Sequence, residues 1–158
     1  MAFIFQPMNE VHARTLIDWR YEPPYDIYNL SPDDEADIDF FIDPQTGHYS
    51  MTNEQGELLA FCCFGREGQV PGGDYSTDAL DIGLGVRPDL TGQGQGALFV
   101  NAVLDFARQT FSPTVFRVTV AEFNQRALRV WTKAGFRPGQ TFSREPDGLA
   151  FVVLIREV

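Results

Sequence analysis

Apolar and polar positions along the chain switch between a period near two and a period near 3.6, and the switches outline strands and helices in turn. Ala2 to Gln6 alternates weakly and suits a strand, after which Asn9 is placed to cap a helix carrying Val11, Leu16, Ile17 and Trp19. The stretch Tyr21-Glu22-Pro23-Pro24-Tyr25-Asp26-Ile27-Tyr28 cannot continue that helix through two prolines, and it leaves a loop bearing three tyrosine rings. Ser31-Pro32-Asp33-Asp34-Glu35 then reads as an N-cap serine, a proline at the first helical position and acids in the first turn, opening a second helix that reaches about Phe41.

His48 to Thr52 and Glu57 to Phe64, joined by the polar turn Asn53-Glu54-Gln55-Gly56, predict a hairpin, and Ala79 to Val86 predicts a fourth strand. Gly65 to Asp78 is loop-like. The longest amphipathic helix is expected over Gly94 to Thr110, with Leu98, Val100, Val103, Leu104 and Phe106 on its apolar side. Thr114 to Ala121 is β-branched and alternating, and Asn124 to Ala134 is helical, with Gly135 placed to stop it. Gln140 to Arg144 and Leu149 to Arg156 bracket a Pro-Asp-Gly turn and close the chain as a second hairpin. The order βααβββαβαββ predicts the α/β class: a central twisted mixed sheet flanked by about four helices, in a single domain over residues 1–158.

Composition narrows the function classes. No window of about 18 uncharged apolar residues occurs, which argues against a membrane span, and the first residues read as a strand instead of a signal peptide; the expected compartment is the cytoplasm. Cys62 and Cys63, adjacent on a strand, point to opposite faces and are expected to pack instead of bridging, while His12 and His48 lack a second ligand at metal spacing, so no metal is expected. A net charge of −10 disfavours nucleic acid. The charge is unevenly spread: residues 1–86 carry 3 Lys+Arg against 16 Asp+Glu, whereas residues 87–158 carry 9 against 6. The second half therefore suits an anionic ligand and the first a cationic one.

The most informative stretch is Val86-Arg87-Pro88-Asp89-Leu90-Thr91-Gly92-Gln93-Gly94-Gln95-Gly96-Ala97, a short loop between a strand and the longest helix. Its alternating glycines let backbone N–H groups converge on an anion, and the helix behind adds its positive end. Gly92, Gly94 and Ala97 also satisfy the dinucleotide pattern G-x-G-x-x-A, but that turn follows its strand almost directly and wants an acid about 20 residues on. Neither condition is met here. A triphosphate P-loop fails for want of Gly-Lys-Ser/Thr.

The segment resembles the GNAT superfamily, whose central motif runs V-x-P-x-x-R/Q-G-x-G-x-G/A; Val86, Pro88, Gly92, Gly94 and Gly96 match. Downstream, Val120 to Phe136 is similar to the family's V-x-x-x-N-x-x-A-x-x-x-Y-x-K-x-G-F, through Asn124, Ala127, Lys133, Gly135 and Phe136. The resemblance implies an N-acetyltransferase that uses acetyl-CoA as co-substrate and passes its acetyl group directly to an amine. It implies that the backbone of Leu84, Gly85 and Val86 pairs with the pantetheine arm and that Thr91, Gly92, Gln93, Gly94, Gln95, Gly96 and Ala97 hold the pyrophosphate. It places Asn124 on the pantetheine, Lys133 or Arg129 near a phosphate, and Trp131 at the cofactor position where many members have a tyrosine acid. Thr91 stands where the family has Arg or Gln.

A lysine-like amine is only about 0.04% neutral at pH 7, a penalty of about 4.6 kcal/mol, so deprotonation needs help. Asp81 is near where members carry a glutamate base, and Glu122 is a second candidate; a carboxylate satisfied by loop amides and an exposed rim acid are the competing readings of the two. Thr119 occupies the position at which members that modify protein N-termini place their base, which speaks against that subtype. Tyr21, Tyr25 and Tyr28 are expected to face the acceptor. With the acids of residues 22–43 they suggest a small cationic amine, although acids at a helix start also serve the helix dipole. A non-catalytic acyl-CoA-binding regulatory module is the alternative; a homodimer is left open.

Overall fold

The computed structural model describes residues 2–32 and 34–158. Strand β1 (Ile4–Pro7) leads into helix α1 (Glu10–Ile17), capped by the Asn9 side chain accepting from the His12 amide. Helix α2 (Glu35–Ile42) precedes β2 (His48–Thr52), β3 (Leu58–Phe64) and β4 (Leu80–Val86); α3 (Gly96–Phe111), β5 (Val115–Ala121), α4 (Gln125–Lys133), β6 (Arg137–Ser143) and β7 (Ala150–Glu157) follow. The element order is the expected one. The loop of residues 21–28 contains a 3-10 turn over Tyr25–Tyr28.

Three boundaries differ from the sequence expectation. Helix α2 is capped by Asp34, whose side chain accepts from the Ala36 amide, while Ser31 and Pro32 belong to a turn closed by Asp34 N–H on Ser31 C=O. Asp33, counted among the first-turn acids, lies outside the described residues. Helix α3 starts at Gly96, because Gly94 has φ +74 and remains in the loop. Strand β6 starts at Arg137 and runs through Pro138, which an outer strand tolerates and an inner one does not.

The seven strands form one mixed sheet in the order β1-β2-β3-β4-β5-β7-β6, and β4–β5 is its parallel pair. The inward positions of β4 and β5, Ile82, Phe116, Val118 and Val120, pack with Phe99, Val103 and Leu104 of α3 and Trp131 of α4. A second cluster, with Leu16, Ile17, Ile38 and Phe41, seats α1 and α2 on the other face. Alternation along the strands therefore turns Asp81, Gly83, Gly85, Arg117 and Thr119 away from the α3–α4 layer.

His48 sits among Phe40, Phe41 and Phe61, with its Nδ1 2.8 Å from the Thr46 hydroxyl, and burial pulls its pKa down to about 4. The imidazole is neutral when folded but gains a proton near pH 6.5 when unfolded, so its stabilising contribution is complete above 6.5 and declines as pH falls toward 4. Burial lowers the His12 pKa as well, with the same sign. A loss of about 1 kcal/mol by pH 5.5 and about 3 kcal/mol by pH 4 is expected from His48. Urea midpoints across that range measure it, and His48→Gln should flatten the upper part of the slope.

Candidate functional site

The sheet opens where β4 and β5 part company. Each strand has seven residues, yet their pairing covers only Leu80↔Phe116, Asp81↔Arg117 and Ile82↔Val118. Beyond Ile82 and Val118 the two strands enclose a V. On its other side β4 pairs with β3 in a register that sets Gly83 opposite Cys63 and Gly85 opposite Phe61, and Arg87 N–H donates to Leu59 C=O at 2.9 Å. In an antiparallel ladder every second residue turns its N–H and C=O to the opposite side. The odd-numbered residues of β4 thus face β3, and Leu84 and Val86 direct their main-chain groups into the V. A Cβ on Gly85 would collide with the Phe61 ring, so glycine there lets Phe61 lie across the strand.

At the wide mouth of the V the chain makes a 3-10 turn at Pro88–Leu90 and enters the glycine loop. Gly92 and Gly94 take φ of +68 and +74, a left-handed conformation that L side chains rarely adopt, and α3 begins two residues later. Among the described residues none of the N–H groups from Gly92 to Ala97 has a hydrogen-bond acceptor in the protein; Leu98, donating to Gln95 C=O at 3.0 Å, is the first that does. Six main-chain donors at a helix N-terminus, in a net-positive half of the chain, fit a diphosphate. The Gln95 side-chain oxygen is also buried without a partner. Glycine at 96 is needed for another reason: its Cβ would stand 2.7 Å from Val130 Cγ2, so α3 and α4 touch through a bare backbone.

The aromatic loop spans the mouth. Tyr21 donates its hydroxyl to Val86 C=O at 2.7 Å, and burial pushes its pKa up to about 12, so it stays a donor. Tyr28 accepts from Asn124 Nδ2 at 3.3 Å and packs its ring on Phe123, with 40% of the residue exposed. Asn124 itself caps α4, its side-chain oxygen accepting from the Ala127 amide at 3.1 Å. The expected coenzyme contact Asn124 and the expected acceptor contacts Tyr21 and Tyr28 are thus brought together. Tyr25 is different: the Arg126 guanidinium lies 3.9 Å from its ring centre, so one face is already taken by an internal cation. Arg126 also approaches Gly92, where a Cβ would stand 2.8 Å from its Nη1. Nothing in the local sequence marks this arginine, which sits two residues after Asn124, because its partners Tyr25 and Gly92 are distant in the chain.

Two expected site residues go elsewhere. Asp81 is 2% exposed and grips Arg117 with both oxygens, at 2.6 and 2.8 Å, while Gln69 Nε2 donates to one of them at 2.9 Å. Its lone pairs are spent on a buried pair, which removes it from the candidates for base. Trp131 turns into the core, 6% exposed and edge-on to Phe136 at 5.0 Å, so it is not placed as a cofactor contact. Glu122 is exposed at the end of β5, its backbone bonded to Ala150 C=O at 2.8 Å. Lys133 is exposed in the last turn of α4, one turn beyond the Val130 that touches the glycine loop.

Burial raises both cysteine thiols, that of Cys63 to about 12, so neither offers a thiolate for covalent transfer near neutral pH. Among the described residues no helix is long and apolar enough to cross a membrane, and no group of three His, Cys, Asp or Glu is placed to hold a metal ion.

The model of the acetyltransferase (GNAT) family matches residues 13–136. No curated protein matches the chain in sequence. Among solved structures, a spermidine N-acetyltransferase SpeG chimera from Vibrio cholerae and hSSAT superposes with a TM-score of 0.73 at 14% identity, over 99% of this chain and 96% of that one. AAC(6')-Ib in complex with ribostamycin and coenzyme A gives 0.74 at 20% identity, over 99% and 94%. An acetyltransferase of the GNAT family from Bacillus anthracis gives 0.75 at 13%, over 99% and 95%. At these identities the likeness is one of fold.

Proposed function

Because the chain belongs to the GNAT family of acetyltransferases, we propose that it transfers an acetyl group from acetyl-CoA to the primary amine of a small cationic acceptor, by direct attack and without an acyl-enzyme. The observation that carries this reading is the V between β4 and β5 with the free amides of residues 92–97 at its mouth. A thin, amide-bearing arm ending in a diphosphate matches both parts: Leu84 and Val86 supply strand-like partners, and the helix end neutralises the phosphates. Acetyl-CoA supplies the activated acyl group. The chain orients it, and main-chain N–H groups of the V stabilise negative charge that develops on the carbonyl oxygen.

The acceptor class rests on what surrounds the mouth. Glu22 and Asp26 are exposed on the aromatic loop, and the exposed ring of Tyr28 offers a cation–π surface that Tyr25, covered by Arg126, does not. Spermidine and ribostamycin, the small amines named with two structural neighbours, head the panel that tests this, alongside amino acids and peptides. Thiol release from acetyl-CoA should be fastest with the polycationic amines; preference for neutral or acidic acceptors defeats the acceptor assignment. Calorimetric titration of CoA tests the seat itself, and a titration without heat defeats it.

With Asp81 occupied by Arg117, Glu122 becomes the carboxylate assigned to take the proton from the incoming ammonium. Glu122→Gln should lower kcat by about 10- to 100-fold, with CoA affinity unchanged. Equal kcat in the two proteins returns that step to solvent.

A further inference from the structure

A proton also has to reach the sulfur that leaves, and the position of the family's tyrosine holds a buried indole that cannot supply it. The sheet offers another phenol. Thr119 is the first residue of β5 past the last paired position, Ile82↔Val118, so it stands at the inner end of the V, on the face turned away from α3 and α4. Its hydroxyl lies 2.9 Å from the hydroxyl of Tyr75, which comes from the connection between β3 and β4. An arm anchored by its diphosphate at residues 92–97 and bonded first to Val86 and then to Leu84 runs from the mouth of the V inward. On that path its acyl end would come toward Thr119, the first residue of β5 beyond the β4 pairing.

Tyr75 is held for this position from several directions. Val70 N–H donates to its oxygen at 2.9 Å, which leaves the phenol proton and the Thr119 hydroxyl to share one line of transfer. The Arg117 guanidinium lies 5.0 Å from the ring centre. The connection itself is tied to β6 by a reciprocal pair, Asp74 N–H to Gln140 Oε1 at 2.8 Å and Gln140 Nε2 to Asp74 C=O at 3.1 Å. A Cβ on the neighbouring Gly73 would stand 2.8 Å from the Tyr75 ring, so the packing there leaves little room. Thr119, Arg117 and Gln140 reach this segment from two other strands, β5 and β6, which is more than a loop tyrosine needs for mere attachment.

We propose that Tyr75 and Thr119 form the proton-transferring pair of the reaction, with the Thr119 hydroxyl facing the reacting atoms and Tyr75 behind it. The role rests on the acetyl-transfer reading given above. As the amine nitrogen bonds to the acyl carbon and the carbon–sulfur bond breaks, the pair delivers the phenol proton to the leaving sulfur. It then recovers one from the nitrogen, which must lose a proton to become an amide. The proton count closes: amine and thioester give amide and thiol, and the phenol is restored. Val70 N–H keeps donating to the phenol oxygen while its proton is away, and Arg117 lies over the ring.

The test uses Tyr75→Phe, Thr119→Val and Thr119→Ser in the full chain, with acetyl-CoA and the fastest amine of the panel. Tyr75→Phe and Thr119→Val are expected to lower kcat by about 10- to 100-fold, toward the lower end for acid–base groups because a thiolate leaves readily. The fall of kcat at alkaline pH, the alkaline limb of its profile, should be absent in Tyr75→Phe. The charged groups around the phenol, Arg117, Asp81 and Asp74, remain in every variant, so a change in that limb reports the phenol. CoA affinity should stay near the parent value throughout; the urea midpoint should fall in Tyr75→Phe, which leaves Val70 N–H without its acceptor, and stay near the parent value in Thr119→Ser, which should restore the rate. Tyr75→Phe with the parent rate and pH profile, or Thr119→Ser as slow as Thr119→Val, overturns the assignment. If Tyr75→Phe does not fold, the two threonine variants decide. A parent chain that binds CoA yet acetylates no amine overturns the acetyl-transfer reading and this pair with it.

Discussion

Replacing Asp81 by alanine is expected to cost the fold about 3–5 kcal/mol, because Arg117 would be left as an uncompensated buried cation. The two side chains are only 3% and 6% exposed, and the guanidinium meets the carboxylate through two parallel bonds of 2.6 and 2.8 Å. Against the roughly 5–15 kcal/mol that holds a typical domain together, such a loss is large. The double substitution Asp81→Leu with Arg117→Met should return most of it, since two apolar groups of similar volume need no partner. Urea denaturation measures both. A third variant, Asp81→Asn, separates structure from chemistry: were the carboxylate the base, turnover per folded molecule would be lost as well as stability. A midpoint for Asp81→Ala close to the parent value would mean that the pair does not hold the sheet.

Gly96→Val should weaken CoA binding by at least about 100-fold, if two of the charge-assisted amide contacts, worth about 1.5–3 kcal/mol each, are lost. The new side chain cannot share space with Val130, 2.7 Å from where its Cβ must go, so the first turn of α3 has to swing off α4 and take its amides with it. Overpacking at one contact should cost about 1–3 kcal/mol of stability, small enough for the protein to remain folded at room temperature. Calorimetry with CoA, beside a denaturation curve for the same variant, checks the two halves of this expectation. Unchanged affinity would show that the phosphates are not held by this helix end.

Parts of this architecture were written locally and parts were not. The glycine loop and the Asn124 cap were legible because each is a backbone requirement confined to a few neighbouring residues: left-handed φ at Gly92 and Gly94, and a side-chain acceptor for the first turn of α4. Strand and helix order followed from periodicity for the same reason. Asp81, one of two candidates for the base, could not be weighed locally because its partner Arg117 is 36 residues away and reaches it only through the parallel pairing of β4 and β5. Trp131 was read by its place in a motif, whereas burial of a large apolar ring beside Phe136 decided its fate. The contact between Tyr75 and Thr119, 44 residues apart, has no local signature at all. Tyr75 stood in a loop-like stretch, and nothing nearby in the chain announced that it lies beneath the open strands. Similarly, the cap of α2 moved from Ser31 to Asp34 because two polar residues with the same local competence compete for one helix start.

The two outer strands have a bearing on how copies of this protein behave toward one another. One rim of the sheet, β1, is four residues long, and the other, β6, contains Pro138 and a break in register before Thr141. Both are poor templates for a passing strand, so edge-to-edge stacking into fibres is discouraged at either end. The open ladder groups of β4, at Leu84 and at the Val86 N–H, are interior. A gap between two strands inside the sheet admits one slender guest at a time, and the adhesiveness that a bare strand would bring to a protein's outside is confined to where it is useful.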